Sequence, residues 1–305
     1  MHHHHAPAAN SSATISAAMA EAMDAAGLEP GRSPVPVRLP NAAVLFQRRA
    51  ERLRRLAPGH RLSSWLAFMA QVSDVQHALA SVPVEGPAVP EARWILDLKD
   101  LRNHLRGTLP ATAESALDAL PWEDAEALNA SAARLMAGEA QAEDIGGAPF
   151  IVAALQVAWT RHAGGLTADE VAASAVANRC PVCGGEPVAG VIHTGPEVSG
   201  LRYLHCGLCH TAWHHVRSAC VVCGEGNRID LRLIEAGDGS GCGPADPARA
   251  ETCDSCNSYL KLFLAEKAPD LDPVADDLAS FALDILVGEE GFQRIGGNPF
   301  LAQPG

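Results

Sequence analysis

Hydrophobic positions in the first half of the chain recur every three or four residues, while beyond residue 179 they fall into short runs cut by cysteines and glycines. The first spacing belongs to helices with one apolar face, the second to short strands. Asn41 is a suitable N-cap for AAVLFQRRAERLRRLA, in which Phe46, Ala50, Leu53 and Ala57 share a face. Arg48, Arg52 and Arg55 lie opposite, either as a solvated face or as a basic docking surface. Pro58-Gly59 ends this helix. A second helix is expected over Ser63–Ala80, with Leu66, Met69, Val72, Val75 and Leu79 inward, followed by a break from Pro83 to Pro90. Further helices are expected over 92–105, 112–118, 122–137 and 149–162, separated by Gly107, Pro110, Pro121, Gly138 and Gly146-Gly147. Thr167 to Glu170 has the form of a capping box and opens a short helix to about Ala177. Trp94, Trp122 and Trp159 read as packing anchors.

At Arg179 the pattern changes to strand-like runs, Pro187–Thr194, Leu201–His205, Trp213–Arg217 and Arg228–Glu235, alternating with turns. After Cys256 the pattern returns to helix. Asn257–Leu264 is expected to be helical and to pack on the second metal module. Pro273–Gly288 is expected to be amphipathic, with Val274, Leu278, Phe281 and Ile285 on one face and Asp276, Asp277 and Asp284 turned away.

At 305 residues and 48% hydrophobic content, the chain is long enough for two or three domains and a sizeable core. Its formal charge of −13 argues against broad nucleic-acid binding, because phosphates would be repelled. The longest apolar run, Phe150 to Trp159, contains Gln156 and is too short to span a bilayer. The opening MHHHH reads as a purification-tag remnant, and APAANSSATISAAMAEAMDAAG has no secretion-signal pattern. The expectation is a soluble cytoplasmic protein without membrane insertion.

The candidate chemistry lies in four Cys-x-x-Cys pairs: CPVC at Cys180/Cys183, CGLC at Cys206/Cys209, CVVC at Cys220/Cys223 and CDSC at Cys253/Cys256. Such a turn puts two thiolates on one side of a tight loop, and two turns together make a tetrahedral four-sulfur site for zinc or a single iron. Gly184, Gly185, Gly207 and Gly224 suit the positive φ these knuckles need. Disulfides or redox dithiols are the alternatives, although the first 179 residues contain no cysteine at all. Gaps of 22 residues between Cys183 and Cys206 and 29 between Cys223 and Cys253 suit hairpins, whereas the 10 between Cys209 and Cys220 suit a linker. Site one is therefore assigned to Cys180, Cys183, Cys206 and Cys209, and site two to Cys220, Cys223, Cys253 and Cys256; a cross-braced pairing is the alternative. CGLCH also matches a c-type haem attachment, which the other three pairs make unnecessary. His205, His210, His214 and His215 are expected around the metals or at the surface rather than as ligands. Cys242, in GDGSGCGPAD, is an incidental loop thiol or an exchange site. Four thiolates close a coordination shell, and no nucleophile elbow, phosphate loop or dinucleotide fingerprint is present, so no enzyme activity is expected.

The expected fold is α plus small β: a tag and extended lead-in over 1–40, an all-α domain over 41–178, a first rubredoxin-like or zinc-ribbon module over 179–219, and a second over 220–305 with C-terminal helix and tail. Several separated segments, in order, carry a resemblance to the formate dehydrogenase accessory protein family, FdhE. They are PVRLPNAAVLFQRRAERLRRLAPGH, CPVCGGEPVAGVIHTGPEVSGLRYLHCGLCHTAWHHVRSACVVCG, ETCDSCNSYLKLF, DPVADDLASFALD and the closing NPFL. The helical half matches mainly in pattern, and Cys242 has no place in a family motif. The resemblance implies a cytoplasmic accessory protein that binds the catalytic subunit of respiratory formate dehydrogenase before its export by the twin-arginine route. It also implies two rubredoxin-like irons on the eight paired cysteines, with zinc as the alternative. Thr211–Arg217, carrying Trp213, is the candidate contact segment, although Trp213 equally suits packing between the modules. A rubredoxin-like redox protein, passing electrons or exchanging thiols, is the competing reading; a ribbon that binds nucleic acid is disfavoured by Glu197, Glu225, Asp230, Glu235 and Asp238.

Overall fold

The computed structural model of the chain describes residues 34–82, 89–172, 178–193, 200–234 and 246–302. The lead-in before Pro34, the break over 83–88, the helix end near Ala177 and Cys242 lie outside the described residues.

Strand β1 (Val37–Arg38) leads into helices α1 (Ala42–Leu56), α2 (Ser63–Ala80), α3 (Pro90–Leu105), α4 (Ala111–Asp118) and α5 (Ala125–Ala137). Then come α6 (Ala142–Ile145), α7 (Ala148–Gly164) and α8 (Ala168–Ala172). The Asn41 side chain caps α1 by accepting from the Ala43 N–H at 3.1 Å, and the carboxylate of Glu170 accepts from the Thr167 N–H at 3.1 Å. Helix α7 is apolar all round and buried on nearly every side, which makes it the axis of the helical region. Trp94 is buried and donates to Asn129 at 3.1 Å, and Trp122, under the Arg102 guanidinium, donates to the Leu117 carbonyl at 3.1 Å.

Beyond residue 178 the chain forms strands β2 (Pro187–Ile192), β3 (Arg202–Cys206), β4 (Ala212–His214), β5 (Ile229–Arg232), β6 (Ala248–Cys253) and β7 (Ser258–Leu264). Helices α9 (Pro273–Ala279) and α10 (Phe281–Glu289) and strand β8 (Gln293–Arg294) follow. A helical N-terminal region thus precedes a sheet region with C-terminal helices, the order the sequence pattern predicts.

The two ribbons share one topology: β2-β3-β4 and β5-β6-β7 are each antiparallel meanders. They are joined edge to edge by a parallel pairing of β2 with β7, through Gly190↔Leu262, Val191↔Phe263 and Ile192↔Leu264. One sheet results, in the order β1-β4-β3-β2-β7-β6-β5, with β8 on the free end of β7. Gly190 suits this seam, since a Cβ there would meet Leu262 Cδ1 at 3.0 Å.

Three expectations are corrected here. Residues 258–264 form a central strand rather than a helix: SYLKLFL is covered on both faces, so it lacks the alternation that marks a half-exposed strand. The helix expected over Pro273–Gly288 is interrupted at Ser280, so Leu283 and Val287 turn inward and Ile285 is exposed. Asp276 and Asp277, expected to face away, are buried. Asp276 accepts from Arg52 Nη2 at 2.5 Å, while Asp270 pairs with Arg52 at 3.1 Å and Arg55 at 2.5 Å. The arginine face of α1 is therefore neither simply solvated nor free for a partner; it docks the C-terminal helix through Arg52 and Arg55, while Arg48 has no ion pair among the described residues.

Candidate metal centres

The four cysteine knuckles repeat one local geometry. In the first, the Cys180 N–H donates to the Gly185 carbonyl at 2.8 Å and the Gly184 N–H to the Cys180 carbonyl at 2.9 Å. The third repeats this with Cys220 to Glu225 at 2.8 Å and Gly224 to Cys220 at 3.0 Å. Each knuckle closes on a left-handed residue directly after its second cysteine: Gly184 (φ 72°), His210 (φ 60°), Gly224 (φ 74°) and Asn257 (φ 51°). Gly185 and Gly207, expected to share this role, do not have positive φ. Position after the cysteine decides the conformation, and where glycine is missing the His and Asn side chains tolerate it. At the second and third knuckles, amides point at sulfur: Leu208 N–H lies 3.3 Å from Cys206 Sγ and Val222 N–H 3.4 Å from Cys220 Sγ.

The structure brings together Cys180, Cys183, Cys206 and Cys209 in one cluster and Cys220, Cys223, Cys253 and Cys256 in another, all sulfurs of each within 4.8 Å. All eight are free thiols. Cys180–Cys209 and Cys183–Cys206 are 3.3 Å apart, and Cys220–Cys256 and Cys223–Cys253 are 3.7 Å apart. A tetrahedron with metal–sulfur bonds of about 2.3 Å has sulfurs about 3.8 Å apart, so both sets fit one ion each. Burial pushes the Cys209 thiol up, and hydrogen bonding to Cys180 does the same to Cys206; the bonds from its three neighbours hold Cys180 low. Four anionic sulfurs in this space repel one another, which a cation relieves. The two clusters could therefore hold metal ions.

They differ in setting. Cys180, Cys206 and Cys209 are buried in an apolar cluster with Val37, Ala163, Trp213 and Leu260. In the second cluster Cys223 is exposed and Cys256 half-buried, with Ser258 Oγ 2.9 Å from Cys256 Sγ. Helix α7 clamps the first cluster from behind. Gln156 and Thr160, one turn apart on one face, reach the Gly207 carbonyl at 2.7 Å and His210 Nδ1 at 2.7 Å. Gln156 Oε1 in turn accepts from Arg49 at 3.1 Å, and Arg49 donates to Asp272 at 3.0 Å. This buried relay ties the helical region, the knuckle and the C-terminal helix together.

The local histidines are more buried than the sequence suggests. His210 is held well below its ordinary pKa by burial and then by the Arg49 charge, and burial brings His205 to about 3 and His193 to about 4, with the Arg38 charge acting in the same direction on both. His215 is buried beside Arg202, 2.7 Å from its Nη2. Trp213 is buried too, and in Thr211–Arg217 only Val216 and Arg217 are exposed, so the segment offers no tryptophan to a partner.

With this geometry in place, comparison with known proteins is decisive. Family models described as FdhE N-terminal, central domain and C-terminal domain match residues 34–100 and 88–175, 179–217, and 218–301. The chain belongs to the FdhE family. A protein FdhE homolog of Pseudomonas putida is 36% identical over 306 residues, covering 91% of this chain and 95% of that protein. One from Pectobacterium atrosepticum is 36% identical over 286 residues, covering 87% and 90%. The crystal structure of the FdhE protein from Pseudomonas aeruginosa superposes with a TM-score of 0.74 at 33% identity, covering 88% of this chain and all of that one. FdhE membership supports a formate dehydrogenase accessory role. Among the described residues, no helix is long and apolar enough to cross a membrane.

The closing of two knuckles by His210 and Asn257 departs from the sequence expectation, which gave that role to glycines and placed His210 only around the metals or at the surface. The signal was present: each stands where glycine stands in the sister knuckles, directly after the second cysteine.

Proposed function

We propose that the chain binds the catalytic subunit of formate dehydrogenase in the cytoplasm before export and acts by contact rather than by turnover. The observation that carries this reading is the pair of four-sulfur clusters: each has a full tetrahedral donor set, leaving no position for substrate. FdhE membership along nearly the whole chain supports the choice of partner. Exposed Val216, Val222 and Leu231, on the ribbon half, replace Trp213 as candidate contacts. Co-purification under reducing, anaerobic conditions should recover the catalytic subunit, and deleting the gene should abolish respiratory formate dehydrogenase activity. Re-expression of the wild-type protein should restore that activity, and a knuckle double variant should restore it poorly. A deletion strain with full formate-dependent respiration, or a catalytic subunit that never co-purifies, overturns this reading.

We infer that Cys180, Cys183, Cys206 and Cys209 hold one iron and Cys220, Cys223, Cys253 and Cys256 a second, with zinc as the alternative in either site. Four-sulfur sets suit both metals, and the family resemblance favours iron. Elemental analysis should give two ions per chain. A chelator should remove one equivalent fast and one slowly, because Cys223 is exposed while three ligands of the first cluster are buried. The fast phase should vanish in Cys220→Ser. One ion in carefully prepared protein, or a fast phase that survives Cys220→Ser, defeats this assignment. The exposure of Cys223 also favours a second reading, electron transfer through the irons; a reversible one-electron couple in a physiological range would support it.

A further inference from the structure

A cleft of about 650 Å³ runs between the start of α1, the first ribbon and the 269–274 segment that leads into α9. Its charge opposes that of the whole chain. Four arginines, Arg38, Arg48, Arg49 and Arg55, line it against three carboxylates, Glu51, Asp270 and Asp272. Arg49 is committed to Asp272 and Arg55 to Asp270. Arg38 lies with its guanidinium 4.0 Å from the Tyr203 ring centre, and Arg48 is exposed; neither has a carboxylate partner among the described residues.

Two independent features point the same way. The 15-residue helix α1 begins at the cleft with only the neutral Asn41 cap and no acidic residue in its first turn, so its dipole adds positive potential there. On the ribbon side His193, His205 and His210 line the cleft, and the Nε2 of each is buried with no hydrogen-bond partner. His210 is only 9% exposed. Thr160 Oγ1, 2.7 Å from His210 Nδ1, can donate its proton there, which leaves the N–H of that ring on Nε2. Leu39, Leu45, Leu271 and Val274 give the cleft an apolar wall, and its volume falls within the range of small-molecule sites, roughly 300–1,000 Å³.

We propose that this cleft binds a small organic anion through phosphate or carboxylate groups, with Arg38 and Arg48 meeting the charge and the histidine row hydrogen-bonding the oxygens. The apolar wall takes the organic part. Cys206 also lines the cleft, so the bound anion lies beside the first cysteine cluster. This site is separate from the proposed contact with formate dehydrogenase and does not depend on it.

The test is calorimetric titration of the full-length, metal-loaded chain with inorganic phosphate, AMP and citrate. AMP and phosphate against citrate distinguish phosphate from carboxylate recognition, and AMP against phosphate reads the contribution of the organic part. Saturable binding is expected for AMP or citrate. It should weaken at least tenfold in Arg48→Glu, an exposed site without an ion pair where folding is undisturbed, and disappear in Arg38→Ala/Arg48→Glu. The imidazole ¹⁵N signals of His193 and His205 should shift on saturation. Absence of saturable binding for all three anions overturns the proposal, as does wild-type affinity in a folded Arg48→Glu protein.

Discussion

Lys261→Met is expected to lower the unfolding free energy by about 3–5 kcal/mol, read as a fall in the urea midpoint at neutral pH. Lys261 stands in the central strand β7 and is fully buried. Its ammonium lies 3.0 Å from Asp277 Oδ1 and 2.6 Å from Asp284 Oδ2, and it donates to the Asp277 carbonyl at 2.8 Å and Ser280 Oγ at 3.1 Å. Arg294 completes the set, 2.5 Å from Asp277 and 3.1 Å from Asp284, so two cations balance two carboxylates. Burial pushes the Asp277 carboxyl up, but Arg294 and Lys261 outweigh it and hold the group below the usual value; at Asp284 burial wins and the pKa is raised. Removing the lysine leaves a buried surplus of one negative charge, which is what makes breaking such a set costly. The sign of the pH dependence follows. A carboxyl raised above its unfolded value favours folding when protonated, so the deficit of the variant should be larger at pH 8 than at pH 5. Lys99→Met, on the exposed side of α3, should change stability by less than about 0.5 kcal/mol. Equal effects at the two lysines would rule out the buried network as the cause.

Cys180→Ser with Cys183→Ser is expected to unfold more than the first ribbon. Ribbons with little core of their own rely on their ions, and structural zinc in small peptides contributes roughly 10–16 kcal/mol of apparent binding energy. On sequence alone the loss would stop at the linker after Cys209. The sheet carries it further, because β2 is hydrogen-bonded to β7 and Leu260 packs in the same apolar cluster as Cys180, Cys206 and Cys209. Limited proteolysis should therefore open 178–217 and 246–264 together, while α2 to α7 keep most of the helical far-UV signal. The matching pair, Cys220→Ser with Cys223→Ser, should leave the first cluster intact, since it removes sulfurs of the outer ribbon's proposed site and not the shared core. Retained protection of 246–264 in the Cys180/Cys183 variant would count against the coupling.

Much of this was legible in the residues. Helix positions followed from 3.6-residue periodicity with caps and breakers, so the Asn41 cap and the span Ser63–Ala80 emerged directly. The composition of the two clusters also followed, because spacing within and between Cys-x-x-Cys pairs is a local property of short hairpins. The chain could not announce what depends on contacts between distant segments. SYLKLFL carries no periodicity that separates strand from helix; it is a strand because β2 and β6 supply hydrogen bonds on both its edges. Asp276 and Asp277 look like solvent-facing acids until Arg52 and Lys261, each remote or on another element, neutralise them in the interior. Trp213 and His210 look available until β1 and α7 cover them. Sequence by itself determined most of the N-terminal helices and the two four-cysteine groupings, since both arise from neighbours along the chain. Tertiary structure alone decided that the ribbons share one sheet, which charges are buried and where the basic cleft opens, because burial and ion pairing are set by what lies across space.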